Sequence, residues 1–397
     1  MGLRFIKFPT ICSIFLLFSI LANGDPANGV FNVKDFGALA NGKNDDAKVA
    51  FLSAWTKACN SNIAAKVLVP EGTYLVSLTK FQGPCKAPTV FEIHGVVNAP
   101  PGVELVDKEN WIAFQYLSHF TLTGTGVFHG QGATAWSQNT CSKNSNCKFP
   151  TSLRFNFLND STIQGIQSVD SKLFHINILG CNNLKIKSIK ISAPAESLNT
   201  DGIHIGNSNG IEISSSVIGT GDDCVSLGQG SKNINISDVF CGPGHGISVG
   251  SLGKTLNDEV IGLTVRNCTF IGTDNGVRIK TWPDSADGIA SNFVFDDIVM
   301  NNVQNPIVID QQYCPYNKCN LKVPSRIKVS NVSFKRIRGT SASKVAVTLV
   351  CSGRFPCKNV KIGDINLVHN GSDGPATSSC SNIKPLLIGK QIPPTCV

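Results

Sequence analysis

Two aspartates and a histidine occupy the same position in a repeated sequence pattern, and a third aspartate adjoins one of them. The segment Asp201-Gly-Ile-His-Ile-Gly206 aligns with Asp223-Cys-Val-Ser-Leu-Gly228 and with His245-Gly-Ile-Ser-Val-Gly250, and Asp222 directly precedes the second segment. When carboxylates crowd together, the pKa of one rises, so that it can donate a proton while another activates water. The pattern therefore indicates general acid and base catalysis, the division of labour that glycoside hydrolysis requires.

The repeat extends along the chain. Offsets of 22 residues are followed by offsets of 30, which lead to Asn275-Gly-Val-Arg-Ile-Lys280 and Asn305-Pro-Ile-Val-Ile-Asp310. Upstream, Phe174-His175-Ile176 fits the same apolar-x-apolar core. A fixed period of this length, with short strands and no helix in each unit, predicts a parallel β-helix, an all-β solenoid.

Strand alternation assigns the side chains of each repeat to two faces. Apolar pairs should point inward and stack: Ile203/Ile205, Val225/Leu227, Ile247/Val249 and Val277/Ile279. The residues between them form an outward column: His204, Ser226, Ser248 and Arg278. Because neighbouring coils are about 4.8 Å apart, the acids and the imidazole should lie within roughly 10 Å. A groove with acids at its centre and Arg278 and Lys280 at one end suits an anionic sugar chain.

Three other kinds of site fit the sequence less well: a calcium site, a serine hydrolase site and a phosphate-binding loop. Calcium also binds several carboxylates, but the adjacent cations oppose it, and no metal is expected. No Gly-x-Ser-x-Gly elbow supports a serine hydrolase, and the phosphate-loop Lys-Ser/Thr ending is missing. Carboxylates one coil apart would be near 5 Å and those two coils apart near 10 Å, so spacing alone does not decide between retention and inversion.

Composition and the N-terminus indicate a secreted protein. The 397 residues carry a formal net charge of +8, but no Lys/Arg run with interleaved aromatics points to nucleic acid. Residues 1–24 read as a signal peptide, with an apolar run too short for a membrane anchor. The remaining residues, 25–397, are expected to form one domain, monomeric and not membrane-bound. A helix capped by Asp45 or Asp46 and running to about Cys59 should close one end, burying Val49, Ala50, Leu52, Ala54 and Trp55.

The cysteines and the Asn-x-Ser/Thr motifs agree with secretion. There are 15 cysteines, of which 14 follow the signal peptide, so disulfides are expected. Four sequence-local pairs are candidates: Cys141 with Cys147, Cys314 with Cys319, Cys351 with Cys357, and Cys380 with Cys396. Five asparagines are candidate glycosylation sites: Asn159, Asn235, Asn267, Asn331 and Asn370.

Four segments together resemble the signature motifs of the polygalacturonases, glycoside hydrolase family 28. They are Asn199-Thr-Asp-Gly202, Gly221-Asp-Asp-Cys224, Gly244-His-Gly246 and Arg278-Ile-Lys280. Val33-Lys-Asp-Phe-Gly37, Val69-Pro-Glu-Gly-Thr-Tyr74 and Asp310-Gln-Gln-Tyr-Cys314 also look like family segments, so the resemblance covers nearly the whole mature chain. It implies a right-handed parallel β-helix that hydrolyses polygalacturonate in the cell wall by inversion, without a metal or other cofactor.

The resemblance also implies individual roles. Asp222 would be the general acid, while Asp201 and Asp223 would position and activate water. His245 would support the protonation state of the acid or bind sugar. Arg278, Lys280 and Tyr313 would hold the galacturonate, and a bond between Cys224 and Cys241 would brace the acids.

The mode of action is a finer expectation. The tail, with Gly374-Pro-Ala-Thr377 and Cys396, is similar to pollen exopolygalacturonases, which favours attack from the non-reducing end. Endo action, a calcium-dependent pectate lyase and a non-catalytic pectin-binding protein remain alternatives. His129 stands where related sequences usually have aspartate, outside the four signatures, so catalysis is expected to survive.

Overall fold

The computed structural model describes residues 29–105, 108–138, 149–315 and 317–396. The predicted signal peptide and the predicted pair of Cys141 with Cys147 lie outside these ranges. The described strands, in chain order, are β1 Val30–Asn32, β2 Asn41–Asp45, β3 Ala65–Val69, β4 Thr73–Leu75, β5 Thr79–Gln82, β6 Thr89–Ile93, β7 Val96–Asn98, β8 Asn110–Gln115, β9 Phe120–Gly124, β10 Val127–His129, β11 Thr151–Asn156, β12 Asn159–Gln164, β13 Gln167–Val169, β14 Ile176–Leu179, β15 Asn182–Lys187, β16 Lys190–Ser192, β17 Ile203–Gly206, β18 Asn209–Gly219, β19 Val225–Leu227, β20 Ser231–Cys241, β21 Ile247–Leu252, β22 Asp258–Ile271, β23 Asn275–Thr281, β24 Gly288–Val303, β25 Asn305–Asp310, β26 Ile327–Ser341, β27 Val345–Val350, β28 Lys358–His369, β29 Thr377–Ser381 and β30 Leu386–Ile392.

These strands form two parallel sheets wound around one axis. The smaller sheet has 11 described strands, in the spatial order β29-β27-β25-β23-β21-β19-β17-β14-β11-β8-β5, and the larger sheet contains the other 19. Each coil crosses the smaller sheet once and returns through the larger one. This is the predicted parallel β-helix, and every strand edge within the stack is paired with the next coil.

The register of the smaller sheet matches the repeat alignment. Ile203 pairs with Val225, Val225 with Ile247, and Ile247 with Val277. The four predicted apolar pairs are fully buried, and burial of each such side chain stabilises the fold by about 1.5–3 kcal/mol. One alignment was wrong: Ile176 pairs with Ile203, so Phe174 lies level with Asp201, outside the core.

The N-terminal end is closed by a helical segment. A π-helical turn, Ala47–Phe51, leads into the only α-helix of the described residues, α1 Leu52–Cys59, and short 3-10 turns occur at Val33–Phe36, Gly132–Thr134 and Trp136–Gln138. Trp55 packs on Phe81 of the first coils, with 5.3 Å between ring centroids. Val49 is 66% exposed, contrary to the prediction, because the π-turn rotates it away from the core.

The capping prediction was half right. The Asp45 side chain accepts a hydrogen bond from the Ala47 amide at 3.0 Å and another from the Ser77 amide at 3.0 Å. Asp46 makes no side-chain cap and instead binds the amides of Leu39 and Ala40. Asp45 therefore closes the first turn, while Asp46 holds the preceding loop.

Three of the predicted sequence-local disulfides are formed. Cys314 bonds to Cys319, and Cys380 bonds to Cys396. Cys351 bonds to Cys357, as predicted, and both of these cysteines are buried at the turn that follows β27. These bonds join residues on short turns and at the C-terminal end, so each of them staples the chain locally.

Four other cysteines form two more disulfides, and two described cysteines are unpaired. The pairing of Cys224 with Cys241, which only the family resemblance implied, is formed. A further bond, between Cys59 and Cys85, ties α1 to the first coils and was not predicted. Cys181 and Cys268 are free and buried, so not every mature cysteine is paired.

The predicted glycosylation sites lie on the surface of the protein. The five glycosylation candidates are exposed: Asn159, Asn235, Asn267, Asn331 and Asn370. Their occupancy stays a prediction. Among the described residues, no helix is sufficiently long and apolar to traverse a bilayer.

Candidate active site

The turns that enter the smaller sheet bring the predicted residues together. Asp201, Asp223 and His245 each stand two residues before a strand, at the start of β17, β19 and β21. The backbone amide of Gly202 donates to the carbonyl of Asp223 at 2.9 Å, and the amide of His245 donates to the carbonyl of Asp222 at 2.7 Å. The turns therefore stack in the same register as the strands.

Glycine makes this close stacking possible. Gly246 has φ +85°, and a side chain on it would meet the carbonyl of Asn275 at 2.2 Å. Gly221, just before the paired aspartates, approaches Ser197 so closely that a Cβ would lie 2.0 Å from its carbonyl oxygen. Any larger residue at either position would force the neighbouring coils apart. The disulfide between Cys224 and Cys241 fixes the chain directly after Asp223.

Asp201 is buried beneath the groove. Its Oδ2 accepts a hydrogen bond from the Ser226 hydroxyl at 2.8 Å. Burial raises the pKa of this carboxyl well above its ordinary value, and the negative charges of Asp222 and Asp223 raise it further. Asp201 therefore keeps its proton more readily than Asp223 does.

Asp223 is equally buried but surrounded by donors. Its Oδ1 accepts from the Ser248 hydroxyl at 2.7 Å and from Arg278 Nη2 at 2.9 Å, while its Oδ2 accepts from Lys280 Nζ at 2.8 Å. Burial alone would raise the pKa of Asp223, but Lys280 and Arg278 outweigh that effect and lower it. Asp223 is therefore held as a carboxylate.

Asp222 is the most exposed of the three acids. Its side chain is 20% exposed, against 2% for Asp223. The Asp223 amide donates to its Oδ1 at 2.8 Å, and Asn199 donates to its Oδ2 at 3.3 Å. Among the three acids, it is the one whose oxygens are open to solvent, and so to a bound polymer.

His245 contacts the exposed acid. Its Nδ1 lies 3.1 Å from Asp222 Oδ1, and its Nε2 lies 3.3 Å from Asp274 Oδ2. The hydrogen bond with Asp222 raises the pKa of His245, although burial acts the other way. Sequence reasoning missed Asp274. Its position just before Asn275 repeats that of Asp222 before Asp223, so the repeat alignment contained the signal.

The predicted substrate-binding residues also meet. Arg278 and Lys280 are mostly buried, and the Tyr313 ring lies 6.0 Å from the Arg278 guanidinium and 5.4 Å from Lys280 Nζ. Trp282 packs edge-on against Tyr313, with 5.2 Å between ring centroids. The sequence did not show that both cations bind Asp223. They consequently serve that carboxylate as well as any anionic ligand.

The cluster is a poor metal site despite its composition. Asp222, Asp223 and His245 place one ligand atom each within 4.8 Å of one another. Both oxygens of Asp223 already face cations, Lys280 and Arg278. A divalent ion would have to enter beside those two positive charges, so the residues do not fit one.

The comparison with protein families decides the assignment. The model described as "Glycosyl hydrolases family 28" matches residues 59–392. The chain belongs to glycosyl hydrolase family 28. This finding confirms the resemblance that the four sequence motifs carried.

Curated relatives of this family 28 protein come from plants. It is 50% identical over 370 residues to an "Exopolygalacturonase" of Platanus acerifolia, covering 92% of this chain and 97% of the relative. It is 48% identical over 390 residues to a "Polygalacturonase" of Gossypium barbadense, covering 98% and 95%.

Solved structures share the fold. The endo-xylogalacturonan hydrolase from Aspergillus tubingensis superposes with a TM-score of 0.79 at 23% identity, over 89% of this chain and 96% of that one. The polygalacturonase from Erwinia carotovora ssp. carotovora gives 0.66 at 24% identity, over 86% and 94%. The family 28 chain is therefore a right-handed parallel β-helix, as predicted.

Proposed function

We propose that the protein hydrolyses the α-1,4-galacturonosyl bonds of polygalacturonan in pectin. The observation that carries the proposal is the arrangement of one groove-facing carboxyl, Asp222, in front of two buried carboxyls with opposite pKa shifts, Asp201 and Asp223. Cations at the same place, Arg278 and Lys280, suit a substrate with a carboxylate on each sugar. The names of the plant relatives support the same substrate.

Proton transfer follows from the positions of the acids. Asp222 donates its proton to the leaving glycosidic oxygen as the C–O bond breaks. Asp223, held ionised, takes a proton from water, whose oxygen attacks the anomeric carbon, and Asp201 orients that water through a hydrogen bond. Between turnovers Asp223 releases its proton to solvent, and Asp222 regains a proton from solvent through His245, which lies beside it. Water attack opposite to the leaving group inverts the anomeric configuration.

The mode of action is exo, from the non-reducing end, in this proposal. Support comes from the relatives named exopolygalacturonase in Platanus acerifolia and, at 51% identity over 369 residues, in Arabidopsis thaliana. An exo enzyme releases one sugar unit per event and leaves the viscosity of the polymer almost unchanged during early turnover.

Product analysis tests the proposal. Purified protein is incubated with polygalacturonate and a chelator, and the products are followed by chromatography and by NMR of the anomeric protons. Galacturonic acid alone, released first as the β-anomer, is the expected result. A ladder of oligomers would make the enzyme endo-acting, and an unsaturated product absorbing in the ultraviolet or no product at all would overturn the hydrolase proposal.

We further propose that residues 1–24 are removed as a signal peptide and that residues 25–397 form one monomeric domain outside the cell. The disulfides support an oxidising compartment. N-terminal sequencing of the secreted protein should begin near Asp25, and light scattering should give the mass of one chain. An N-terminus at Met1 in the mature protein would contradict cleavage.

A further inference from the structure

A second group of cations and an aromatic ring lies on the C-terminal side of the acids, on the turns that follow β23, β25 and β27 and at the start of β26. Phe355 is flanked by Lys328, whose Nζ lies 5.7 Å from the ring centroid, and by the Arg354 guanidinium at 5.6 Å. Arg326 lies in the same group, where it binds Asp287 through two hydrogen bonds of 2.9 and 2.7 Å. We call these five residues the Phe355 cluster.

The Phe355 cluster is positively charged and reachable. Three cations, Arg326, Lys328 and Arg354, surround the single carboxylate of Asp287 and lower its pKa. Lys328 and Arg354 are exposed, and Phe355 is half-buried. Among the described residues, neither Lys328 nor Arg354 forms an ion pair within 4.0 Å. Both charges are therefore available to an anion.

A disulfide holds the loop that carries two members of the Phe355 cluster. Arg354 and Phe355 lie between Cys351 and Cys357, which are bonded to each other and buried. The Ser352 hydroxyl, inside the same loop, accepts hydrogen bonds from the amides of Arg354 and Phe355. The loop therefore presents its cation and its ring from a fixed backbone.

Buried polar groups tie this loop to the active site. Gln311 Nε2 donates to Thr281 Oγ1 at 3.4 Å, directly after Lys280, while Gln311 Oε1 accepts from the Ser352 amide at 2.9 Å. Gln311 therefore links the turns after β23, β25 and β27, which place Tyr313 and Phe355 on neighbouring coils.

The Phe355 cluster lies on the C-terminal side of the substrate cations. Arg278 pairs with Val308 and Val308 with Thr348, so β27 lies two coils beyond β23, a translation of about 10 Å. The floor between them carries Asp310, whose pKa is raised by burial and which would repel a sugar carboxylate when ionised. A polyanion that extends past Arg278 would therefore meet its next free cations, Lys328 and Arg354, in the Phe355 cluster.

We propose that the Phe355 cluster is an accessory subsite for the same polygalacturonate chain, on the side of the cleavage site toward the C-terminal coils. The inference rests on the proposed function for the identity of the polymer. Lys328 and Arg354 bind sugar carboxylates, and the Phe355 ring packs against an apolar sugar face. The subsite is used only by chains long enough to reach it.

Chain-length dependence tests this assignment. In the Lys328→Gln/Arg354→Gln double variant, the KM for long polygalacturonate should rise about tenfold, which corresponds to two surface charge contacts. The kcat, and the kcat/KM for digalacturonate, should stay within about twofold of wild type. The matched control, Lys335→Gln/Lys361→Gln, removes the same charge from exposed positions outside the cluster, farther along β26 and on β28, and should change neither parameter. An equal loss on both substrates, or no change with the polymer, would refute the subsite.

A measurement of polymer binding without turnover tests the subsite independently of the proposed hydrolase activity. Affinity electrophoresis in gels that contain polygalacturonate needs no turnover, and the double variant should be retarded less than wild type and the matched control. Equal retardation of all three proteins would refute the subsite even if hydrolysis is confirmed. Reduced retardation of the double variant would support it even if the protein hydrolyses nothing.

The aromatic ring has its own control. Phe355→Leu keeps apolar packing but loses the flat face, so the KM for the polymer should rise about threefold. Phe355→Tyr keeps the ring and should restore the wild-type value. A Phe355→Tyr variant as weak as Phe355→Leu would mean that the ring only packs within its loop, and the sugar contact would be wrong.

Discussion

Asp201 and Asp223 occupy equivalent positions on neighbouring coils, and the fold treats them in opposite ways. Each accepts a hydrogen bond from a serine one coil further on, Ser226 for Asp201 and Ser248 for Asp223. Both carboxyls are buried, which raises the pKa of each when nothing else acts. The backbone repeat therefore gives both carboxyls the same serine contact. The two carboxyls differ in the residues that contact those serines.

The residue that contacts each serine helps to determine whether the neighbouring aspartate is protonated. His204 Nδ1 lies 2.8 Å from the Ser226 hydroxyl, and burial lowers the pKa of His204 to about 4, so it is neutral above that pH. Arg278 donates to the Ser248 hydroxyl at 3.0 Å, and with Lys280 it also binds Asp223 directly. A neutral neighbour lets one carboxyl keep its proton, and two cations remove the proton from the other.

The largest effect on activity is expected at the exposed acid, because neither buried carboxyl can take over its role. Asp222→Asn should lower kcat about 1000-fold because no other carboxyl can reach the leaving oxygen. Circular dichroism and the melting temperature should stay at wild-type values. Activity within tenfold of wild type would show that Asp201 or Asp223 is the true acid.

Removing the charge from the second carboxyl should cost stability. Asp223→Asn leaves Arg278 and Lys280 buried together without a counter-charge, so the free energy of unfolding should fall by about 3 kcal/mol in urea denaturation. Unchanged stability would mean that the two cations are solvated rather than held by Asp223, and the contrast with Asp201 would disappear.

The first carboxyl should behave in the opposite way. Its pKa is raised in the folded state, so the folded protein binds the proton more tightly than the unfolded chain does, and stability falls as pH rises above the ordinary value of 3.8. Asp201→Asn removes this loss and should raise the free energy of unfolding by roughly 1 kcal/mol at pH 7. At pH 3, where both states are protonated, the variant should match wild type. Destabilisation at pH 7 would contradict the assignment.

The serines should show the same contrast more weakly. Ser248→Ala removes a hydrogen bond to a carboxylate and should cost about 2 kcal/mol of stability at pH 7, against about 1 kcal/mol for Ser226→Ala. Thermal melts of the two variants, prepared side by side, give the comparison. Equal costs would indicate that both aspartates carry the same charge.

The fold and most of the site could be predicted from the sequence because both depend on the repeat. Alignment of short strands predicted the register, the inward pairs and the coil positions of the acids, since parallel stacking keeps equivalent residues level. The same alignment placed Ser226 and Ser248 in one column but did not show that their hydroxyls turn toward the acids. Rotamers and ion pairs depend on side chains that are 22 to 57 residues apart in the sequence and lie on different coils.

The errors have local causes. Phe174 was assigned to the core because the triplet around it has an apolar-x-apolar pattern, whereas the register starts at Ile176. Val49 was assigned to a buried helix face, but a π-turn changes the angle between successive residues.

The disulfides show when the separation of two cysteines in the sequence is enough to predict that they pair. The bond between Cys351 and Cys357 was predictable because the two cysteines lie only 6 residues apart on one turn. The bond between Cys59 and Cys85 spans 26 residues and depends on how α1 sits on the first coils. Sequence proximity alone could not predict that second pair.

The pH dependence of turnover offers a finer check. Lys280→Gln removes one of the two cations that lower the pKa of Asp223, so the acid limb of the kcat profile should move to higher pH. Lys335→Gln, which removes an equal charge on the larger sheet, should leave the limb in place. A limb that does not move would assign the acid-side titration to a group other than Asp223.

The opposite protonation of the two buried aspartates can be measured directly. The protein is labelled with carbon-13 at the aspartate carboxyls, and their NMR shifts are followed during a pH titration, with assignments from the Asp201→Asn and Asp223→Asn variants. The carboxyl assigned to Asp201 should titrate above 3.8 and the one assigned to Asp223 below it. Two carboxyls that titrate together, or in the reverse order, would contradict the account.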